Sequence, residues 1–213
     1  MAAFLRWFRS KPDDSGPKAP GKWEQEVLEL EAEAQRAPRA FQATPLNRAG
    51  DLCLRAGDRP RALSYYGRAI DTLLEDGQRE AARGVANKII RVHPEAVRTL
   101  CTLTWLDLAA RHMATALLHL RDYVAAVKGS RHERLAGNQV LEMARSVTHD
   151  EFLHAAADAM DQLGFTSEAG LIREWGAAGG SPEARAQPGA MAERCLQQAM
   201  GSNAGRGNGG TGA

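Results

Sequence analysis

Glu151, His154 and Asp158 are spaced by three and four residues, so a helix would stack these three potential metal ligands along one face. Glu-x-x-His is part of the ligand set of a di-iron helical bundle, which uses that motif on two helices and a glutamate from each of two more. The chain carries the motif once, so the set is incomplete and a polar helix face is the plainer reading. His112 and His119 lie seven residues apart, with no obvious carboxylate partner or third ligand. The metalloprotease H-E-x-x-H, the phosphate-cradling G-x-x-x-x-G-K-[ST], the dinucleotide G-x-G-x-x-G and the nucleophile elbow G-x-S-x-G are all missing from the sequence. An enzyme built here would need an unfamiliar site. The expectation is a protein with no catalytic residues, no metal and no cofactor.

Chemistry of binding is better represented. The N-terminal MAAFLRWFRSK places Phe4, Leu5, Trp7 and Phe8 among Arg6, Arg9 and Lys11. On a helix, Phe4, Leu5 and Phe8 share a face, which could dock into a partner, fold back on the chain or lie on an anionic membrane surface. Eleven residues are too few for a stable isolated helix in water. The C-terminal Gly205-Arg206-Gly207 resembles the tails of RNA-associated proteins, but one arginine neutralises almost no phosphate. With 27 basic and 26 acidic side chains the formal charge is +1, against the basic excess of a nucleic-acid binder. No nucleic-acid partner is expected.

The elements that position these residues follow from composition. The 38 alanines and 22 leucines far outnumber the 12 isoleucines and valines, and aromatics are only 6%, so the class is all-α with a core of small and aliphatic side chains. Cys53, Cys101 and Cys195 lie far apart, an odd count without zinc spacing that fits a reducing compartment. With no run of 18 apolar residues and no secretory signal, a cytoplasmic location is expected; the excess of Arg over Lys suggests a GC-rich bacterial genome. Residues 1–22 read as a basic amphipathic arm plus flexible linker, 23–176 as a helical domain, and 177–213, which holds nine of the 21 glycines, as a largely disordered tail. Within that tail, 191–200 has the makings of a short terminal helix.

In the domain, helix-sized segments at roughly 23–36, 45–56, 60–76, 79–92, 95–110, 113–127, 131–146, 149–163 and 167–176 alternate with breaks such as Gly57, Gly77, Pro94, Gly129 and Gly164. Breaks this short make consecutive helices antiparallel neighbours. Gly50, Cys53, Ala62, Tyr66 and Ala69 stand at the spacing of a helix–turn–helix unit, followed by Ala82, Ala86, Ile89 and Pro94, then Leu100, Leu103, Ala116, Leu120 and Tyr123. This pattern resembles the tetratricopeptide repeat (TPR) family, over about residues 43–130. Beyond residue 130 it departs, with Asn138, Asp150 and His154 where Gly, Ala and a large apolar residue belong.

The resemblance implies a short right-handed α-solenoid whose first helices line a concave groove. On that register the groove holds Asn47 and Asp51 in the first unit, Arg98, Cys101, Trp105 and Leu108 in the third, and His132, Leu135, Gln139 and Glu142 in the fourth. A Trp beside an Arg is hot-spot composition, although a core Trp fits the same spacing. The expected function is a non-enzymatic adaptor or scaffold for protein partners, gripping them through Asn47, Asp51, Arg98, Trp105, His132 and Gln139. The alternatives are a peripheral membrane organiser anchored by Phe4, Leu5, Trp7 and Phe8, and a metal-dependent helical enzyme around Glu151.

Overall fold

A computed structural model describes residues 21–204, with side chains through residue 200. These residues form α1 (Lys22–Arg36), α2 (Arg39–Arg55), α3 (Arg59–Glu75), α4 (Arg79–Val92), α5 (Val97–Ala109), α6 (Met113–Val127), α7 (Glu133–Ser146), α8 (Asp150–Gln162), α9 (Thr166–Ala177), the short α10 (Pro182–Ala186), a 3-10 turn at Pro188–Ala190, and α11 (Met191–Ala204). No strand occurs among the described residues, so the all-α expectation holds. Consecutive helices from α1 to α6 pack on one another, as do α7, α8 and α9.

Local chemistry sets the boundaries. Asp58 precedes α3 and accepts from the Arg61 amide at 3.1 Å, with Pro60 in the first turn where a missing N–H costs nothing. Gly57, at φ +85°, closes α2: its amide and that of Asp58 fold back onto the Leu54 and Cys53 carbonyls. The α5–α6 turn has the same pattern, Arg111 to Leu108 and His112 to Asp107, but there Arg111 takes the left-handed conformation at φ +59° without being a glycine.

Helix α2 starts at Arg39, earlier than the spacing predicts, and runs through Pro45. The proline removes one donor from the carbonyl of residue 41. Phe41 is 66% exposed, so this defect falls on a turn open to water, while Ala43, Pro45 and Leu46 are buried.

Two glycines mark close approaches. A Cβ on Gly50 would lie 2.6 Å from the Tyr66 ring, and one on Gly137 would lie 2.6 Å from the Phe165 ring. Tyr66 and Ala69 follow Gly50 by 16 and 19 residues and are fully buried; Leu153 and Ala156 follow Gly137 by the same intervals and are buried too. The close approach thus falls at Gly137 and not at the expected Asn138, which is exposed.

The middle of the molecule is α5. Every residue from Thr99 to Leu108 is buried, which requires neighbours on all sides. The stretch 177–213, expected to be largely disordered, supplies one of them. Its α11 returns to pack along α5 and against α3 and α7, burying Cys195, Leu196 and Ala199. The glycine count of the whole stretch masks a helical apolar stripe, because residues 190–200 contain no glycine.

Candidate protein-interaction face

Contacts between alternate helices arrange the chain in two layers. Tyr65 and Arg68 of α3 reach Glu31 of α1 at 3.1 and 2.5 Å, and Trp105 of α5 reaches Gln139 of α7 at 3.0 Å. Lys88 of α4 reaches Asp51 of α2 at 2.7 Å, and α6 packs on α8. The odd-numbered helices α3, α5 and α7 are the ones α11 touches.

On α5 the two sides have different chemistry. Asp107 is fully buried; its Oδ2 takes His119 Nδ1 of α6 at 2.8 Å, and its Oδ1 lies 2.9 Å from Arg83 Nε of α4. His112 Nδ1 stands further off, at 4.0 Å. At 3.6 residues per turn, Arg98, Thr102 and Trp105 fall on the side opposite Asp107, with Cys101 next to them. Since α4 and α6 hold the Asp107 side, the Trp105 side faces α7 and α11. Trp105 is fully buried and donates Nε1–H to Gln139 Oε1, which also lies 3.8 Å from Cys101 Sγ.

The expected groove residues are thus divided. Trp105 and Gln139 meet between α5 and α7, with Arg98 two turns from Trp105 on the same side of α5. His132 is exposed at the start of α7 and touches Arg131 at 3.4 Å. Asn47 and Asp51 belong to the other layer: Lys88 Nζ binds Asn47 Oδ1 at 3.0 Å and both Asp51 oxygens, and sits 5.4 Å from the Tyr66 ring centre. Tyr66 donates to Asp51 at 2.7 Å. Burial alone would raise the Asp51 carboxyl, but Lys88 and Tyr66 outweigh it and hold it below its ordinary value. These two expected groove residues therefore lie on α2 against α4, while α11 packs against α3, α5 and α7.

The other candidate residues are paired with neighbours. His154 Nδ1 contacts the Asp150 carbonyl oxygen at 2.9 Å, and Asp158 pairs with Arg173 at 3.3 Å. Among the described residues, no three His, Cys, Asp or Glu side chains converge to hold a metal. Phe4, Leu5, Trp7 and Phe8 lie outside the described residues. No helix of the described residues is long and apolar enough to cross a membrane.

His119 does have a carboxylate partner, which the sequence did not reveal because Asp107 lies 12 residues away on another helix. A cleft of about 570 Å³ opens nearby, between the α3–α4 turn and the end of α5, lined by Arg79, Glu80, Arg83, Leu106 and Ala110 among others. Arg83 is one wall of this cleft, and its contact with Asp107, which also holds His119, ties α4, α5 and α6 together.

Cys195 on α11 is fully buried, and that burial pushes its thiol up to about 12. The Arg194 Nε and Nη2 nitrogens are buried with no hydrogen-bond partner among the described residues, while Nη1 reaches the Gln187 carbonyl at 3.5 Å.

No family model, no curated protein and no solved structure matches the chain.

Proposed function

We propose that the chain is a non-enzymatic scaffold of TPR-like helical hairpins, stacked as a short right-handed solenoid, that binds helical segments of protein partners in the cytoplasm. One observation carries the reading: the α3, α5 and α7 layer already holds an amphipathic helix, α11, along its length. A face that orders one such helix has the shape and apolar character to order another. Small residues at Ala62, Ala82 and Ala116, all fully buried, support the resemblance to helix–turn–helix repeats, because small residues there let paired helices approach.

The test is retention from native lysate on the immobilised full chain, with and without excess of a peptide spanning residues 188–204. The expected result is a stoichiometric protein that the peptide releases and that a Leu196→Asp peptide does not. If no retained protein is released by the peptide, the scaffold reading on this face is wrong.

A further inference from the structure

Helix α11 differs from the other elements of the core in how it is attached. The chain before it is pinned: Ser181 Oγ, fully buried, donates to the Arg145 carbonyl of α7 at 2.7 Å and accepts from the Ala184 amide at 3.0 Å. Gly180, at φ +123°, lies so close to Thr148 that a Cβ would meet its Cγ2 at 2.8 Å. After that anchor, residues 185–189 (Arg-Ala-Gln-Pro-Gly) are all exposed, and nothing lies within 4 Å of a Cβ built on Gly189. A Pro-Gly hinge therefore separates a fixed anchor from a docked helix.

Through residue 200, the docked side of α11 buries Cys195, Leu196 and Ala199, with Met191 partly buried against the core. Two buried, unpaired guanidinium nitrogens on Arg194 add a desolvation cost that an apolar or uncharged residue would not carry. By contrast the face beneath is built from the most buried helix of the molecule, with the fully buried Trp105 on that side. A misfit cation and an exposed hinge are features of an element that opens without unfolding the rest.

We propose that α11 is a removable cap, and that the α3–α5–α7 face it covers is the docking site for an amphipathic partner helix with small and aliphatic residues at the spacing of Met191, Cys195, Leu196 and Ala199. The occupant displaces α11 because it carries the same stripe without a buried arginine. The cap then sets affinity: a partner sees only the opened fraction, so apparent binding is weakened by that fraction. This inference rests on the scaffold reading, and deepens it by naming the partner's chemistry.

The experiment uses purified full-length chain and a fluorescent peptide of residues 188–204, so it needs no physiological partner. Leu196→Asp in the chain weakens the cap and leaves the face beneath intact. The expected result is that the variant keeps the helical signal of α1–α9 and binds the labelled peptide at least tenfold more tightly than the unaltered chain. An Arg194→Met peptide should bind the variant more tightly still. A folded variant that does not take up the peptide overturns the proposal. So does a variant that loses its whole fold, since α11 would then be an inseparable part of the core. A weaker Arg194→Met peptide would make Arg194 an anchor and overturn the displacement argument. Peptide uptake without any competed lysate protein would sustain the cap and remove the scaffold reading, which keeps the two failures apart.

Discussion

Trp105 and Gln139 lie 34 residues apart and meet through a 3.0 Å hydrogen bond from the indole Nε1 to the amide oxygen, joining α5 to α7 beneath α11. Tyr65 and Glu31 are also 34 apart, and join α3 to α1. In both pairs, side chains 34 residues apart bridge alternate helices. The bond also decides what Trp105 is: a buried, satisfied indole in the floor of the face, not an exposed anchor waiting for a partner.

Gly50 and Gly84 should respond to alanine with opposite signs. At Gly50 the new methyl would be 2.6 Å from the Tyr66 ring, so Gly50→Ala should destabilise by roughly 1–3 kcal/mol through overpacking. At Gly84, exposed in the middle of α4 with nothing within 4 Å, alanine should stabilise by about 0.5–1 kcal/mol. Urea denaturation of the two variants checks both; equal shifts would mean the Gly50–Tyr66 approach is not real.

Removing the Asp107 carboxylate should be costly because it is the common partner of Arg83 and His119. Asp107→Ala should lose about 3 kcal/mol of stability, because it strips the shared carboxylate from His119 and leaves Arg83 with Glu80 alone, at 3.4 Å. Asp107→Asn, which keeps an acceptor, should lose roughly 1–3 kcal/mol. A loss below 1 kcal/mol for the alanine variant in chemical denaturation would show that the cluster contributes little.

Arg111 occupies a left-handed position that Gly57 and Gly77 fill in the equivalent turns. Arg111→Gly should raise stability by about 0.5–1 kcal/mol, the penalty for a side chain in that conformation exceeding the added freedom of the unfolded chain. Thermal and urea midpoints that fall instead would contradict the turn geometry.

Asp51 gives the α2–α4 contact a pH dependence. Its folded-state carboxyl lies below the ordinary value, so its stabilisation is fully present above the unfolded value near ~4 and is lost as pH falls through the folded one. Asp51→Asn should lower stability at pH 7 and flatten the acid limb of the stability–pH curve below about pH 4. Parallel curves for variant and unaltered chain would remove Lys88–Asp51 from the account.

The helices were legible because Gly57, Gly77, Pro94, Gly129 and Gly164 interrupt a strongly helix-forming composition. The expected and observed limits of the 79–92 and 113–127 helices coincide. What escaped was long-range. Gly137 was passed over for Asn138 because a fixed 34-residue period points at the latter, and only the Phe165 ring 28 residues on reveals which residue must be small. Asp107 looked like one polar residue in an apolar helix until Arg83 and His119 arrived from two other helices. Spacing did not tell that Trp105 and Gln139 would meet each other, or that Asn47 and Asp51 would both meet Lys88 of α4. Nor could spacing tell that the last helix would fill the face, because docking depends on where the chain after α9 is pinned, at Ser181.

Thiol labelling of the native full chain measures the opening of α11 most directly, with each cysteine followed separately by peptide mass. Cys195 lies on α11 and Cys53 on α2; both are fully buried and both thiols are raised by burial. If α11 opens on its hinge while the repeats stay folded, Cys195 should react at least tenfold faster than Cys53, and the 188–204 peptide should speed it further. A single common rate for both, unaffected by the peptide, would mean that α11 leaves the face only when the whole molecule unfolds.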